Sequence, residues 1–400
     1  MRVFVVEPLG KGGLIHYSYH MCRALQRAGA DVTLITSTHY ELEDLAHEFR
    51  LDRRLHLWDA RQSGDVPALQ RTLRRAWRGV RYITEWLRLI RHLRREKPNV
   101  VLLGEIRFWF EVYFLRLLRA SGLRLADVVH DVRSYDTGRD SSTIVNESPQ
   151  HLARYDRIYN LFDVLFVHDK INRDLFLRLY TVPAERVHQI PMGTNEITLE
   201  VEPACTPEEL RKRLNLPNDE PVLLFFGTVT KYKGVEDLIR AFPLVRQHTK
   251  AHLLVAGFPA KDIDPQALHI LADLGGVKEN ITWWLDYVPN DQITPLLALA
   301  DLVVLPYRAI TQSAVISVAY ACGKPVVATR VGGLNEVVEE GQSGYLAAPE
   351  NPESLAKAII KALEDPARLK GMGSHARELA ESRYSWRRVA EIVLAALRQP

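Results

Sequence analysis

Two hydrophobic patterns alternate along the chain. Short apolar runs, RVFVV from Arg2, ADVTLIT from Ala30, NVVLLG from Asn99, PVLLFFG from Pro221, AHLLVAG from Ala251 and LVVLPY from Leu302, are separated by longer stretches in which apolar residues recur every three or four positions. Runs without polar alternation suit strands buried on both faces of a parallel sheet, and the intervening period suits helices. The pattern predicts an α/β fold built from βαβ units. FDVLFVHD and RVHQIPMG extend the first series, and the segment from Glu196 to Pro221, with four prolines and clustered charge, separates it from a second series. Two Rossmann-like domains are expected, 1–195 and 196–385, with a terminal helix over 386–400 crossing back to brace the first.

The densest chemical pattern lies between Leu302 and Leu346. Pro306 ends a strand, and Thr311, Gln312 and Ser313, side chains favoured at helix N-caps, precede the helix AVISVAYAC that starts at Ala314. After the strand PVVATR, Gly332 and Gly333 permit a tight turn into a second predicted helix, LNEVVEE, carrying Glu336. Two helix N-termini close together offer free N–H donors and aligned dipoles to a diphosphate. In FFGTVTKYKG, Thr228, Lys231 and Lys233 follow a strand that ends at Gly227, at the carboxyl edge where open α/β sheets bind ligands. A solvated lysine is the plain alternative, above all for Lys231. In the first domain, Gly12 and Gly13 sit between strand and helix without a GxGxxG spacing, and Leu14, Tyr17, Met21 and Leu25 form the expected buried stripe of the helix behind them. His130 and Asp131 end the run LADVV; His168, in FVHDK, reads as a structural strand end.

Composition narrows the class. With 400 residues, 47 % hydrophobic and 25 % charged, the chain is an ordinary globular one, and a net charge of +3 gives no reason to expect nucleic-acid binding. Three cysteines without CxxC spacing suggest neither zinc nor a disulfide framework, and no run approaches a membrane span or a signal-peptide core, so a cytoplasmic location is expected. Asp262 and Asp264 spell DxD between two prolines, where they read as turn residues, and no HExxH or GxSxG is present.

The order GGL…H, FFGTVTKYKGVEDLIRAF, HLLVAG, ITWWLDYVPNDQI, ADLVVLPY, ACGKPVVATRVGGLNEVVEEGQSGYL and SWRRVAEIV resembles the large retaining glycosyltransferase family four, group 1 type, with its two-domain GT-B architecture. The resemblance is dense in the second half and loose between Thr38 and Val128. It implies transfer of a sugar from a nucleotide diphosphate donor to an acceptor hydroxyl, with retention and without a metal or other cofactor, in bacterial polysaccharide or glycoconjugate assembly. The implied partners are the nucleotide sugar and a glycan or lipid-linked sugar acceptor. By the same resemblance, His130 and Lys233 would be catalytic, and Gly12, Gly13, Thr228, Lys233, Thr311, Gln312, Ser313, Ala314 and Glu336 would line the donor. Ala256–Gly257 and the segment from Trp283 to Val288 match places where the family holds the nucleobase, and they leave the base open. Two departures stand out: Thr228 replaces a usual arginine, and Ile310 and Val318 replace the glutamates of an E-x7-E segment. A sugar-nucleotide epimerase of the same build and a non-catalytic nucleotide-sugar-binding subunit are the alternatives.

Outside the resemblance, 66–97 is rich in arginine. Val66, Leu69, Leu73, Val80, Ile83, Leu87 and Ile90 recur at helical spacing beside Arg71, Arg74, Arg75, Arg78, Arg81, Arg88, Arg91, Arg94 and Arg95. An amphipathic helix is expected, its apolar residues inward and a basic face outward, suited either to plain solvation or to an anionic membrane surface.

Overall fold

The computed structural model describes residues 1–57, 68–132, 148–194 and 196–399. Among the described residues, thirteen strands form two all-parallel sheets. The first contains β1 (Arg2–Glu7), β2 (Asp31–Ser37), β3 (Arg50–Leu55), β4 (Val100–Leu103), β5 (Arg124–Val129), β6 (Val164–Val167) and β7 (Val187–Gln189), in the order β3-β2-β1-β4-β5-β6-β7. The second contains β8 (Val222–Phe226), β9 (His252–Ala256), β10 (Ile281–Trp284), β11 (Leu302–Leu305), β12 (Val326–Thr329) and β13 (Gly344–Ala347), in the order β10-β9-β8-β11-β12-β13. Each sheet reverses its winding once, between β1 and β4 and between β8 and β11. Ligands of open α/β sheets bind at the carboxyl ends of strands beside such a reversal. The loops after β1, β8 and β11 therefore carry Gly12 and Gly13, Thr228 to Lys233, and Thr311 to Ser313 to the two crevices.

Several elements depart from the periodicity. β3, RLDRRL, is largely solvent-facing and lacks an apolar run, so pairing with β2 rather than its own pattern makes it a strand. The helix Gly13–Arg27 has no single buried stripe: Ile15 and every residue from Tyr17 to Leu25 are buried, while Leu14 is only half-buried. The reason is a second cover, because the terminal helix Trp386–Arg398 packs on its other side and sets Trp386 against Tyr17 and His20, with ring centroids 4.9 and 5.3 Å away. The predicted helix LNEVVEE shrinks to a single turn, Leu334–Val337; Glu339 N then turns to Ser343 Oγ, and Glu340 bridges to Gly344 ahead of β13.

The arginine-rich stretch forms one helix, Ala68–Glu96. Its inward residues are Tyr82, Trp86, Leu89, Ile90 and Leu93, whereas Val80, Ile83 and Leu87, expected inside, face solvent. Val66 and the side chains at 69, 71, 73 and 75 lie outside the described residues. Among those described, no helix is long and apolar enough to cross a membrane.

Candidate active site in the interdomain cleft

β5 and β6 are paired in register, Val128 with Phe166 and Val129 with Val167, and both continue into the same tripeptide, Val-His-Asp. The register therefore sets His130 beside His168, and Nδ1 of the first lies 3.0 Å from Nε2 of the second. Burial holds His130 neutral, lowering its pKa to about 4, and among the described residues its Nε2 has no hydrogen-bond partner. Tyr17 packs edge-on against both rings. His168, which the sequence reading set aside, is thus the immediate neighbour of His130; the repeated VHD at two strand ends was the signal that could have found it.

The two aspartates of those tripeptides reach across to the other domain. Asp131 hydrogen-bonds the Thr311 side chain, and Asp169 accepts from the Gln312 side-chain amide. Burial raises the pKa of both carboxyls. Asp169 also caps its own helix, Lys170–Leu179, by accepting from Asn172 N at 2.6 Å. Glu336 adds a third tie, since its carboxylate accepts from Lys170 N at 3.1 Å and Ile171 N at 2.8 Å. It lies at the cleft wall, but here it satisfies the opposing domain's helix N-terminus, where a negative charge is favoured. The turn before it needs glycine: Gly332 has φ +46°, and a Cβ there would stand 1.9 Å from Ile310 O.

Lys233 ends a short 3-10 turn, Lys231–Lys233, and is 8 % exposed. A Cβ on Gly227 would lie 3.1 Å from Lys233 Nζ and 3.3 Å from Val315 Cγ2, so the ammonium stands beside the start of the helix Ala314–Ala321. Gly227 has φ +103° and leaves that space open. Burial lowers the Lys233 pKa to about 8, and among the described residues no carboxylate forms an ion pair with it. Ser313 is the N-cap of this helix, yet its side chain makes no cap hydrogen bond. Thr228 and Lys231 are exposed at the cleft edge, and Lys231 N donates to Asp262. Asp264 caps the next helix through Gln266 N. Those two aspartates are therefore turn and cap residues, and among the described residues no group of three or more His, Cys, Asp or Glu side chains is arranged to hold a metal. Ile310 is half-buried and Val318 buried, so nothing acidic stands at either position.

Between the sheets lies a cavity of about 410 Å³ lined by Gly12, Gly13, Glu41, Tyr287, Asn290, Ala314, Ser317 and Trp386, among others. Gly12 has φ +90°, and neither it nor Gly13 has a heavy atom within 4 Å of where a Cβ would be, so the backbone itself faces the cavity. Glu41 accepts from Gly12 N at 2.6 Å and pairs with His16 at 3.2 Å, orienting the loop. Glu41 carried no sequence signal, because the loop from Ser37 to Phe49 has no periodicity, whereas His16 is the histidine of the GGL…H pattern. A second, polar cavity of about 150 Å³ opens at the ends of β4 and β5 and is lined by Glu105, Asp127, His130, Asp131 and Tyr155. The two cavities share neither lining residue nor domain balance: the larger takes residues from both sheets, the smaller from the first alone.

Known proteins match this arrangement over nearly its full length. Residues 12–193 match the model of a glycosyl transferase 4-like domain, and residues 220–365 that of glycosyl transferases group 1. D-inositol 3-phosphate glycosyltransferase 1 of Catenulispora acidiphila is 32% identical over 291 residues, covering 70% of this chain and 68% of that protein. Alpha-D-kanosaminyltransferase of Streptomyces kanamyceticus is 30% identical over 223 residues, 56% of each chain. Among solved structures, HepE from Anabaena in complex with UDP superposes with a TM-score of 0.72 at 18% identity over 99% of both chains. Sucrose-phosphate synthase from Thermosynechococcus elongatus superposes at 0.71 and 20% identity, over 100% of this chain and 98% of that one. With two parallel-sheet domains facing across a cleft and these relatives, the chain belongs to glycosyltransferase family four, group 1 type, of GT-B fold.

Proposed function

We propose that the enzyme moves a sugar from a nucleoside diphosphate to an acceptor hydroxyl with retention and without a metal, in polysaccharide or glycoconjugate assembly. The observation that carries this reading is Lys233, a buried ammonium with no carboxylate in ion-pair contact among the described residues, beside a helix N-terminus. Lys233 has the Tyr307 ring 5.7 Å away, and a buried cation without a counter-ion is unfavourable unless something negative comes to it. A diphosphate supplies that charge, and the backbone N–H groups of Gln312, Ser313 and Ala314 supply hydrogen bonds. As the bond from the anomeric carbon to phosphate breaks, charge builds on the leaving oxygen, where Lys233 acts most strongly. Gly12 and Gly13 close over the donor from the first domain, with Thr228 at the cleft edge. Solved HepE in complex with UDP-glucose, a structure of the same fold, accords with a nucleotide sugar in such a cleft.

The smaller polar cavity receives the acceptor, a glycan or lipid-linked sugar. Asp131 and Asp169 are engaged with Thr311 and Gln312 and are not free to attack. Front-face substitution follows: the acceptor oxygen bonds to the anomeric carbon on the side the phosphate leaves, and its proton passes to the leaving phosphate oxygen. His130, neutral at pH 7, is a hydrogen-bonding partner for a sugar hydroxyl rather than a general acid. Purified protein should gain thermal stability with UDP, GDP or ADP sugars, and nucleotide release should depend on added acceptor. Conversion of the donor without acceptor would identify an epimerase; binding without turnover would identify a regulatory subunit.

A further inference from the structure

Of the fourteen large hydrophobic residues exposed among the described ones, eight lie between Trp77 and Leu117, so the apolar surface is concentrated rather than scattered. The helix Ala68–Glu96 packs inward through Trp86, whose ring stacks on Phe114 of the neighbouring helix Val112–Arg119 at 5.2 Å. Arg94 joins the same two helices by donating to Leu117 O at 3.1 Å and to Ser121 Oγ at 2.6 Å. On the outer side, Val80, Ile83 and Leu87, 63, 44 and 50 % exposed, follow helical spacing toward that joint. Tyr113 and Leu117, 57 and 41 % exposed, lie on the second helix. Trp77 and Trp109, also exposed, each have an arginine over the ring, Arg81 at 4.8 Å and Arg154 at 5.2 Å.

The rim is basic. Arg91, Arg95 and Arg116 are exposed on the same two helices, whereas Arg119, also exposed, pairs with Asp163 at 3.4 Å. The acids of the same stretch offer little exposed opposing charge: Glu85 and Glu111 are buried, Glu105 is paired with Arg107, and Glu96 with Arg2.

We propose that this two-helix face docks on an anionic lipid surface, its apolar stripe entering the headgroup boundary and its arginines meeting lipid phosphates. Apolar side chains bordered by tryptophan and by cations fit an interface that is hydrocarbon on one side and negative at its surface. A second copy of this chain would set arginines against arginines. The face also adjoins the smaller cavity, since the loop that carries Glu105 and Ile106 into that cavity continues to Phe108, whose ring packs on Tyr82 of the long helix at 5.1 Å. A lipid surface on this face would therefore bring membrane-borne acceptors to that mouth, and docking does not depend on which sugar is transferred.

The test is co-sedimentation of the full chain with vesicles of phosphatidylcholine with and without phosphatidylglycerol. Binding is expected with phosphatidylglycerol, with a blue shift of tryptophan emission, and with weakening by salt, because exposed charge is screened over ~10 Å at 0.1 M. Two variants separate the contributions: Val80→Ser, Ile83→Ser and Leu87→Ser combined, and Arg91→Glu, Arg95→Glu and Arg116→Glu combined. Each should lower partitioning at least about tenfold while circular dichroism and turnover on a soluble acceptor stay as in the wild type. Wild-type protein left in the supernatant at low salt would overturn the proposal, as would wild-type binding by the serine variant. A wild-type dimer that the serine substitutions dissociate in sedimentation velocity would also overturn it, by showing the face to be a contact between copies.

Discussion

Replacing Lys233 with methionine should raise stability and remove activity together. Burial lowers this ammonium from the ordinary 10.5 to about 8. Lowering it that far costs on the order of 3 kcal/mol for keeping the charge in the folded state. For a lysine with a depressed pKa, the penalty is complete below pH 8, fades between 8 and 10.5, and is gone above. Methionine fills nearly the same volume without the charge, so urea denaturation at pH 7 should show the variant more stable by up to ~3 kcal/mol, and at pH 10.5 the two proteins should coincide. Turnover should fall by two to three decades, since losing one well-placed electrostatic donor typically costs ~3–4 kcal/mol in the transition state. A diphosphate should also draw the pKa back up. At pH 8, where Lys233 is about half protonated, UDP binding should take up about half a proton, measurable by calorimetry in buffers of different ionisation enthalpy. Wild-type turnover in Lys233→Met, or equal stability of the two proteins at pH 7, would refute the reasoning.

Three further outcomes are expected. Activity should survive excess EDTA, because lysine and helix N–H groups meet the phosphate charge; loss of activity restored by manganese or magnesium would contradict this. Glu111, raised to about 7 by burial and with Oε2 unpartnered among the described residues, stabilises the fold fully only below its unfolded pKa of 4.5, and that contribution is lost as pH rises through 7. Glu111→Gln should therefore recover part of the stability that the wild type loses between pH 5 and 8, the remainder belonging to other carboxyls raised by burial, among them Glu7 and Asp127; parallel pH profiles of the two proteins in urea would count against it. Gly193 has φ +75°, and a Cβ there would stand 2.6 Å from the Trp386 ring. Gly193→Ala should cost on the order of 2–3 kcal/mol in chemical denaturation, from left-handed backbone strain and a displaced terminal helix.

The chain's own pattern was enough for the α/β class, for most of the strands and for the loops that meet at the cleft. These features are local: apolar runs, proline stops and glycine turns act over a few residues, and parallel sheets demand that rhythm. Lys233 and the glycines were legible for the same reason, lying at strand-to-helix turns whose position in the sheet order follows from the βαβ rule. What the periodicity could not carry was anything requiring two distant segments at once. β3 is a strand only because β2 offers its edge. His130 gains its partner His168 from strand register, and Glu336 is drawn to the N-terminus of a helix 166 residues earlier. The arginine-rich helix shows the limit most plainly, because helical spacing reveals which residues share a face but not which face finds a neighbour. Trp86 meets Phe114 and goes inside, leaving Val80, Ile83 and Leu87 outside. Burial is decided by what packs against an element, and that is a property of the whole fold.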